Sequence, residues 1–374
     1  GEDALSAVSD EAPSAARGLT APGLALAPFR FPAFRALWTA NLASNLGSMV
    51  QSTGAAWLMT DLTQSHQLIA LVQASTTIPI LLLAVFAGAI ADNHDRRKVM
   101  LAAQGIMLVA SAALALMTWV GAIGPLTLLA FTLTVGAGTA LNGPAWQASV
   151  RLQVGPGDLP QAISINTIAF NLARSVGPAL GGLLIALTSP ALAFALNALS
   201  YLALIVVLLR WRPDAPPPQR QPMLASIRTG IAFCAGSSPV RRILLRGMTF
   251  GLGAAGFHAL LPVIVRERVH GTEVDYGLLL GAFGVGSILT ALWIAPARRR
   301  LGSETVVSMA ALIFAAMMVP LASSTTLAPL LASALVAGGA WVATFTTLNV
   351  AMQLRSPETI LGRCLAIYLA VAFG

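Results

Sequence analysis

The sequence predicts an all-α polytopic membrane protein, on three observations. Hydrophobic residues make up 56% of its 374 residues and charged residues only 10%, far from the balance of a water-soluble domain. The hydrophobic residues are gathered into continuous runs long enough to cross about 30 Å of hydrocarbon as helices, without the strict alternation of a transmembrane barrel. Because backbone groups cannot stay unpaired in lipid, each run has to be helical. The basic residues, finally, sit singly or in short groups between the runs. The formal net charge of +8 therefore reads as a set of topology signals, and nucleic acid is not an expected partner.

Residues 1–28, rich in Ala, Pro, Gly, Ser and acids, hold too few large apolar side chains to pack and are expected to form a disordered cytoplasmic tail. Apolar segments over 34–59, 68–91, 99–119, 125–148, 159–187 and 190–209 make a first six-helix bundle within 29–210. Residues 211–238 change character. Arg212-Pro-Asp-Ala-Pro-Pro-Pro-Gln-Arg220 is a stiff polar linker, and 223–235 sets Leu224, Ile227, Ile231 and Cys234 at helical spacing against Arg228, as an interfacial helix would. Spans over 243–265, 276–295, 306–322 and 327–352 and a start at Leu361 give a second bundle over 239–374. About ten and a half spans are expected, with the C-terminal end cut short.

Placing the N-terminus inside leaves only Arg266 and Arg268 of the 22 basic residues outside, with Arg174 stranded within a span. The two halves echo one another: Trp146-Gln-Ala-Ser-Val-Arg-Leu-Gln-Val-Gly-Pro156 resembles Thr347-Leu-Asn-Val-Ala-Met-Gln-Leu-Arg-Ser-Pro357, each followed by a helix start. Cys234 and Cys364 lie far apart in sequence without a CxxC context and are expected to be inert thiols. The histidines, His66, His94, His258 and His270, are scattered, and the single lysine, Lys98, is not in a Walker loop. No catalytic triad or metal-spaced cluster appears. An enzyme, an ATP-driven pump, a metal and any other cofactor are all unexpected.

The densest charge cluster is Gly88-Ala-Ile-Ala-Asp92-Asn-His-Asp-Arg96-Arg97-Lys98, between the second and third segments. Gly88 lets helices approach, Asp92 can sit against the positive end of a neighbouring helix, and Arg96 and Arg97 can pair with carboxylates or phosphate head groups. A loop collecting positive charge for topology alone is the competing reading; the spacing of Gly88, Asp92 and Arg96 favours the functional one. In the fifth segment Gly177-Pro178-Ala-Leu-Gly181-Gly182 combines a small-residue face with a lost backbone donor, which suits a kink and a close helix contact. Thr167, Asn171 and Arg174 share one face of that helix, and Arg174 is the leading substrate-binding candidate; the alternative is a structural arginine bound to a carbonyl. Asn41, Asn45, Ser48 and Ser52 make a polar stripe that either lines a wet cavity or bridges helices. His258 is a candidate proton carrier or a packing residue. No carboxylate sits near a span centre, so the coupling residue is not identified.

The Gly88 to Arg97 spacing, in this loop, resembles the signature of the major facilitator superfamily. Phe34-Arg-Ala-Leu-Trp38, Ala56-Trp57-Leu-Met-Thr60, Asn142-Gly-Pro-Ala-Trp146-Gln147, Phe170-Asn171-Leu-Ala-Arg174 and Leu260-Leu-Pro262 are similar to the branch that includes bacterial enterobactin and macrolide exporters, over about 29–374. The resemblance implies two six-helix bundles related by a pseudo-twofold repeat and a monomer in the bacterial inner membrane. It also implies alternating access and proton-coupled antiport that exports a small amphiphile such as a siderophore or drug, with multidrug resistance as one outcome. In this superfamily the aspartate meets the N-terminal end of the eleventh helix, here near 357–361. Ser164 and Ala173 stand where the antiporter signature has glycine, and 296–302 occupies the place of the charged loop in the second half without its aspartate. An importer on the same fold and a transport-inactive receptor remain the alternatives.

Overall fold

The computed structural model describes residues 24–271 and 273–373. A 3-10 turn, Leu24–Arg30, leads into α1 (Pro32–Leu62), α2 (His66–Asn93), α3 (Arg96–Trp119), α4 (Pro125–Gln153), α5 (Leu159–Leu187) and α6 (Pro190–Arg210). A linker and the short α7 (Met223–Gly236) follow, then α8 (Ser238–Val263), α9 (Glu273–Leu301), α10 (Ser303–Ser323), α11 (Leu327–Arg355) and α12 (Leu361–Phe373). No strand occurs among the described residues. Among them, α2, α3, α4, α6, α10 and α11 are long and apolar enough to cross a bilayer by length and composition alone. Leu82, Val109, Leu252 and Leu312 stand exposed on the outside, as lipid-facing residues do.

Local chemistry sets the helix ends. Ser65 Oγ accepts the Leu68 N–H at the start of α2, and Ser189 Oγ accepts from Leu192 at the start of α6, where Pro190 supplies a fixed φ. Asp95 caps α3 by accepting the Arg97 N–H at 2.9 Å, so this acid of the charge cluster has a purely local task. Between α9 and α10 the chain turns on Gly302 at φ 84°, a left-handed conformation that costs glycine nothing.

In the first half α1 packs on α5 and α6, and α4 packs on α2 and α3. Polar cross-links fix the register: Asn197 Nδ2 donates to Gln51 Oε1 at 2.8 Å, and Ser48 Oγ and Tyr201 Oη are 3.0 Å apart. In the second half α11 packs on α9 and α10 around an aromatic core, with Phe257 stacked on Phe283 at 5.3 Å and Phe250 edge-on to Phe345 at 5.3 Å. The halves meet where α5 lies against α9 and α11, and where α12 lies against α2 and α4.

Four expectations change. The expected tail lies outside the described residues up to 23, but its end, 24–28, is helical, with Pro28 buried and Phe29 edge-on to Trp38 at 5.0 Å. The stretch expected as a loop at 296–302 is helical through Leu301, because three consecutive arginines favour the C-terminal end of α9. On α7 the face buried against protein is Ser226, Gly230 and Cys234, while Leu224 is 81% exposed; the small residues pack and the apolar ones point away. Cys234 and Cys364 are brought together, Sγ to Sγ 3.9 Å, both buried and both free thiols.

Candidate functional site

The charge cluster at the α2–α3 junction closes the basic end of the molecule. Asp92, the penultimate residue of α2, points its carboxylate at the first turn of α12. Oδ1 accepts the Gly362 N–H at 2.6 Å; Oδ2 accepts the Arg363 N–H at 2.8 Å and the Arg363 Nε–H at 2.9 Å. The first backbone N–H groups of a helix have no partner within it, so a carboxylate here meets orphan donors and the positive end of the helix dipole together. Gly88 makes the approach possible. A Cβ there would stand 2.7 Å from both the Gly362 carbonyl oxygen and the Ala366 Cβ, so α12 would have to shift.

Arg96 extends the closure. Its Nη1 pairs with Glu358 Oε1 at 2.6 Å, its Nη2 donates to the Glu358 carbonyl at 3.0 Å, and Asp92 lies 3.7 Å away at i−4. Arg151, at the end of α4, takes the other Glu358 oxygen at 2.9 Å. Burial works to raise the Glu358 carboxyl, but Arg96 and Arg151 outweigh it and hold it below the ordinary carboxylate range. Arg97 does something different from the carboxylate or phosphate pairing expected of it. It donates to the carbonyls of Leu208 and Leu209 at 2.6 and 2.8 Å, capping the C-terminal end of α6. The linker joins in through Ser226, whose hydroxyl accepts from Asn93 at 2.8 Å and whose carbonyl accepts from Arg363 Nη1 at 2.7 Å. Asn349 Nδ2 on α11 donates to Gln147 Oε1 on α4 at 2.8 Å. These bonds between the halves all fall toward the basic end.

Sequence reasoning missed Glu358, Arg151, Arg363 and Ser226. In the sequence the two arginines read only as topology charges. An acid just after Pro357, at a predicted helix start facing the charged loop, was the available signal for Glu358.

The small-residue motif in α5 splits. Gly177 lies against Met49 of α1, where a Cβ would collide with the methionine side chain, and a Cβ on Gly181 would be 3.1 Å from Val50 Cα and Thr53 Cβ. A Cβ on Gly182 would meet nothing within 4 Å. The side chain of Pro178 lies outside the described residues, as does that of His258 on α8. Arg174 is exposed at the middle of α5. Asn171 is buried and its amide donates to the Thr167 carbonyl at 2.9 Å, while Thr167 Oγ1 donates to the Ile163 carbonyl, so both are partly satisfied by their own helix. Asn41 is buried on α1 and Asn45 half-buried; Ser48, on the same stripe, is turned to Tyr201 of α6. A separate crevice of about 430 Å³, lined by Arg246, Thr249, Phe250, Phe314 and Thr344, lies within the second half between α8, α10 and α11 and not between the halves.

Two helical bundles that meet through Asp92 on α12 and through Arg96 on Glu358 have the architecture of the major facilitator fold. Residues 23–374 match the family described as transmembrane secretion effector, and the chain belongs to it, a multi-pass membrane transporter family and not a family of enzymes. Solved structures agree on the fold. A bacterial homologue of the iron transporter ferroportin in an outward-facing state superposes with a TM-score of 0.74 at 17% identity, covering 91% of this chain and 89% of that one. The proton:xylose symporter XylE gives 0.68 at 13% identity, over 91% and 86%. Among curated relatives, the staphyloferrin A transporter of Staphylococcus aureus is 21% identical over 72% of this chain and 68% of its own length. The enterobactin exporter EntS of Shigella boydii is 27% identical over 70% of this chain and 62% of its own. The matched stretch thus spans about two thirds of these relatives.

Proposed function

We propose that the protein is a secondary active transporter of the bacterial inner membrane, N-terminus cytoplasmic, that exports a small amphiphile of the siderophore or drug-like class by proton-coupled antiport. One observation carries this reading above all: the closure of the basic end by Asp92 on the first turn of α12. The charge bias makes that end cytoplasmic. Its bonds are few and polar, and water replaces each of them when the halves part, as alternating access requires. In the conformation described, the cytoplasmic side is shut. Residues 29–210 and 239–374 then rock as two bodies about the 211–238 linker. The protein works as a monomer in the bilayer, without nucleic acid as a partner.

Direction and cargo are supported by the secretion family and by relatives named for enterobactin and staphyloferrin A. Arg174 is the proposed cargo contact, and Asn171, Thr167, Asn41, Asn45, Ser48 and His258 are the further candidate residues of the path. A guanidinium is a planar fork suited to carboxylate or catecholate oxygens. Uptake of a catecholate siderophore into inside-out vesicles, with and without a pH gradient, tests the proposal. Gradient-dependent uptake is the expected result. Accumulation in right-side-out vesicles would mark an importer, and binding without uptake would mark a receptor.

A further inference from the structure

A second arginine raises a question that the latch does not answer. Arg298, near the end of α9, is only 7% exposed. Its Nη1 donates to Thr347 Oγ1 on α11 at 3.3 Å, its Nη2 has no hydrogen-bond partner, and no carboxylate pairs with it among the described residues. A buried guanidinium without a counter-ion is costly, and folds keep one where something else supplies the charge.

The surroundings indicate when that happens. On α11, beside Thr347, Thr346 Oγ1 is also buried without a partner, and so is Gln353 Oε1 two turns on along the same face. Across the junction, Gln153 Oε1 on α4 and both amide atoms of Gln161 on α5 are in the same condition. These helices meet between the halves: α5 lies against α9 and α11, and α4 is bonded to α11 through Gln147 and Asn349. Native interiors rarely leave buried polar atoms unpaired, and a concentration of them on two facing surfaces fits surfaces that are wet when the halves part.

We propose that Arg298 is an oxyanion-binding residue on the wall of the cytoplasmic vestibule, closed in this conformation and presented when the Asp92 latch opens. Thr347 holds one arm of the guanidinium and the other arm takes a carboxylate or phosphate oxygen, a charge-assisted bond that supplies the missing counter-charge. The inference rests on the transport reading and adds to it a residue and a chemical class for capture from the cytoplasmic side. Such an oxyanion comes either from the cargo or from the head group of an anionic phospholipid at the cleft.

The test is citrate and inorganic phosphate titrated onto the protein in phosphatidylcholine nanodiscs, by calorimetry, in wild-type and in an Asp92→Asn background that loosens the latch. Citrate should bind the Asp92→Asn protein at least tenfold more tightly than wild type. Arg298→Gln in that background should weaken it at least tenfold, with Arg298→Lys and Thr347→Val in between. Competition on adding phosphatidylglycerol assigns the site to a head group; its absence assigns the site to the cargo. Equal affinity with and without Arg298 overturns the proposal, as does equal affinity with the latch intact and loosened. Should Arg298→Gln fail to fold, unchanged affinity in both Arg298→Lys and Thr347→Val overturns it instead. Failure of the transport reading is separate: vesicles would take up no cargo while Arg298-dependent citrate binding persisted.

Discussion

Asp92 and Arg363 are joined twice, since the backbone N–H and the Nε–H of Arg363 both donate to Asp92 Oδ2, at 2.8 and 2.9 Å. Both side chains are buried, so their contact is a desolvated ion pair laid over a helix N-terminus. Each charge-assisted bond is worth about 1.5–3 kcal/mol, but desolvation of the pair offsets much of that. What remains suits a closure that opens in each cycle of the proposed alternating access.

Asp92→Asn keeps the shape and one acceptor oxygen while removing the charge. Losing one charge-assisted bond, about 1.5–3 kcal/mol, moves the closed-to-open ratio by roughly one to two powers of ten. Turnover should fall without any loss of cargo affinity, because the residue is not a proposed cargo contact and a looser latch only raises access to a site presented on the cytoplasmic side. Affinity and turnover measured on the same preparation check this, and a collapse of affinity contradicts it.

Gly177→Leu and Gly182→Leu form a matched pair on α5. The first would drive a side chain into Met49 and should abolish transport by a protein that still inserts; at the second a Cβ meets nothing within 4 Å, and the substitution should be tolerated. Transport normalised to protein level in the membrane decides the matter. Equal activity of the two would remove the packing argument.

Glu358 gives the basic end a pH dependence of known sign. Its pKa is depressed in the folded protein, so its stabilisation is fully present above the unfolded value of about 4.3 and is lost as pH falls through the lower folded value. Melting temperature should be flat in this respect near neutral pH and drop on acidification below about 4.3, with Glu358→Gln showing a shallower drop. The carboxylate is 39% exposed, so the effect is modest. A drop of the same size in Glu358→Gln would contradict the assignment.

Arg174→Lys keeps the charge and loses the fork, while Arg174→Gln loses both. For an anionic cargo the affinity should fall in both, more in Gln than in Lys. Thermal stability recorded beside affinity separates a cargo contact from a structural residue. Loss of stability with unchanged affinity would end the cargo-contact assignment.

The all-helical fold was legible because lipid forces long apolar runs into helices, so segment order followed from hydropathy. The Gly88 and Asp92 positions were legible as well, since spacing and loop placement are sequence properties. Their partners were less so. Arg363 and Arg151 read as topology charges because hydropathy carries no information about which loop charge meets which acid. Cys234 and Cys364 looked unrelated for the same reason, being 130 residues apart and in contact only through the docking of α7 on α12. Arg298 read as a loop residue because a run of arginines after Pro296 looks like a break, whereas the helix end accommodates it.

The distance across the basic end tests the account most directly. Spin labels on Lys98→Cys of α3 and Arg355→Cys of α11, both exposed, in a Cys234→Ser, Cys364→Ser background, report the separation of the halves. We expect one short distance in the resting protein, with a second, longer population that grows on adding cargo and dominates in Asp92→Asn. A single distribution unchanged by cargo, by the pH gradient and by Asp92→Asn would contradict a latch that opens.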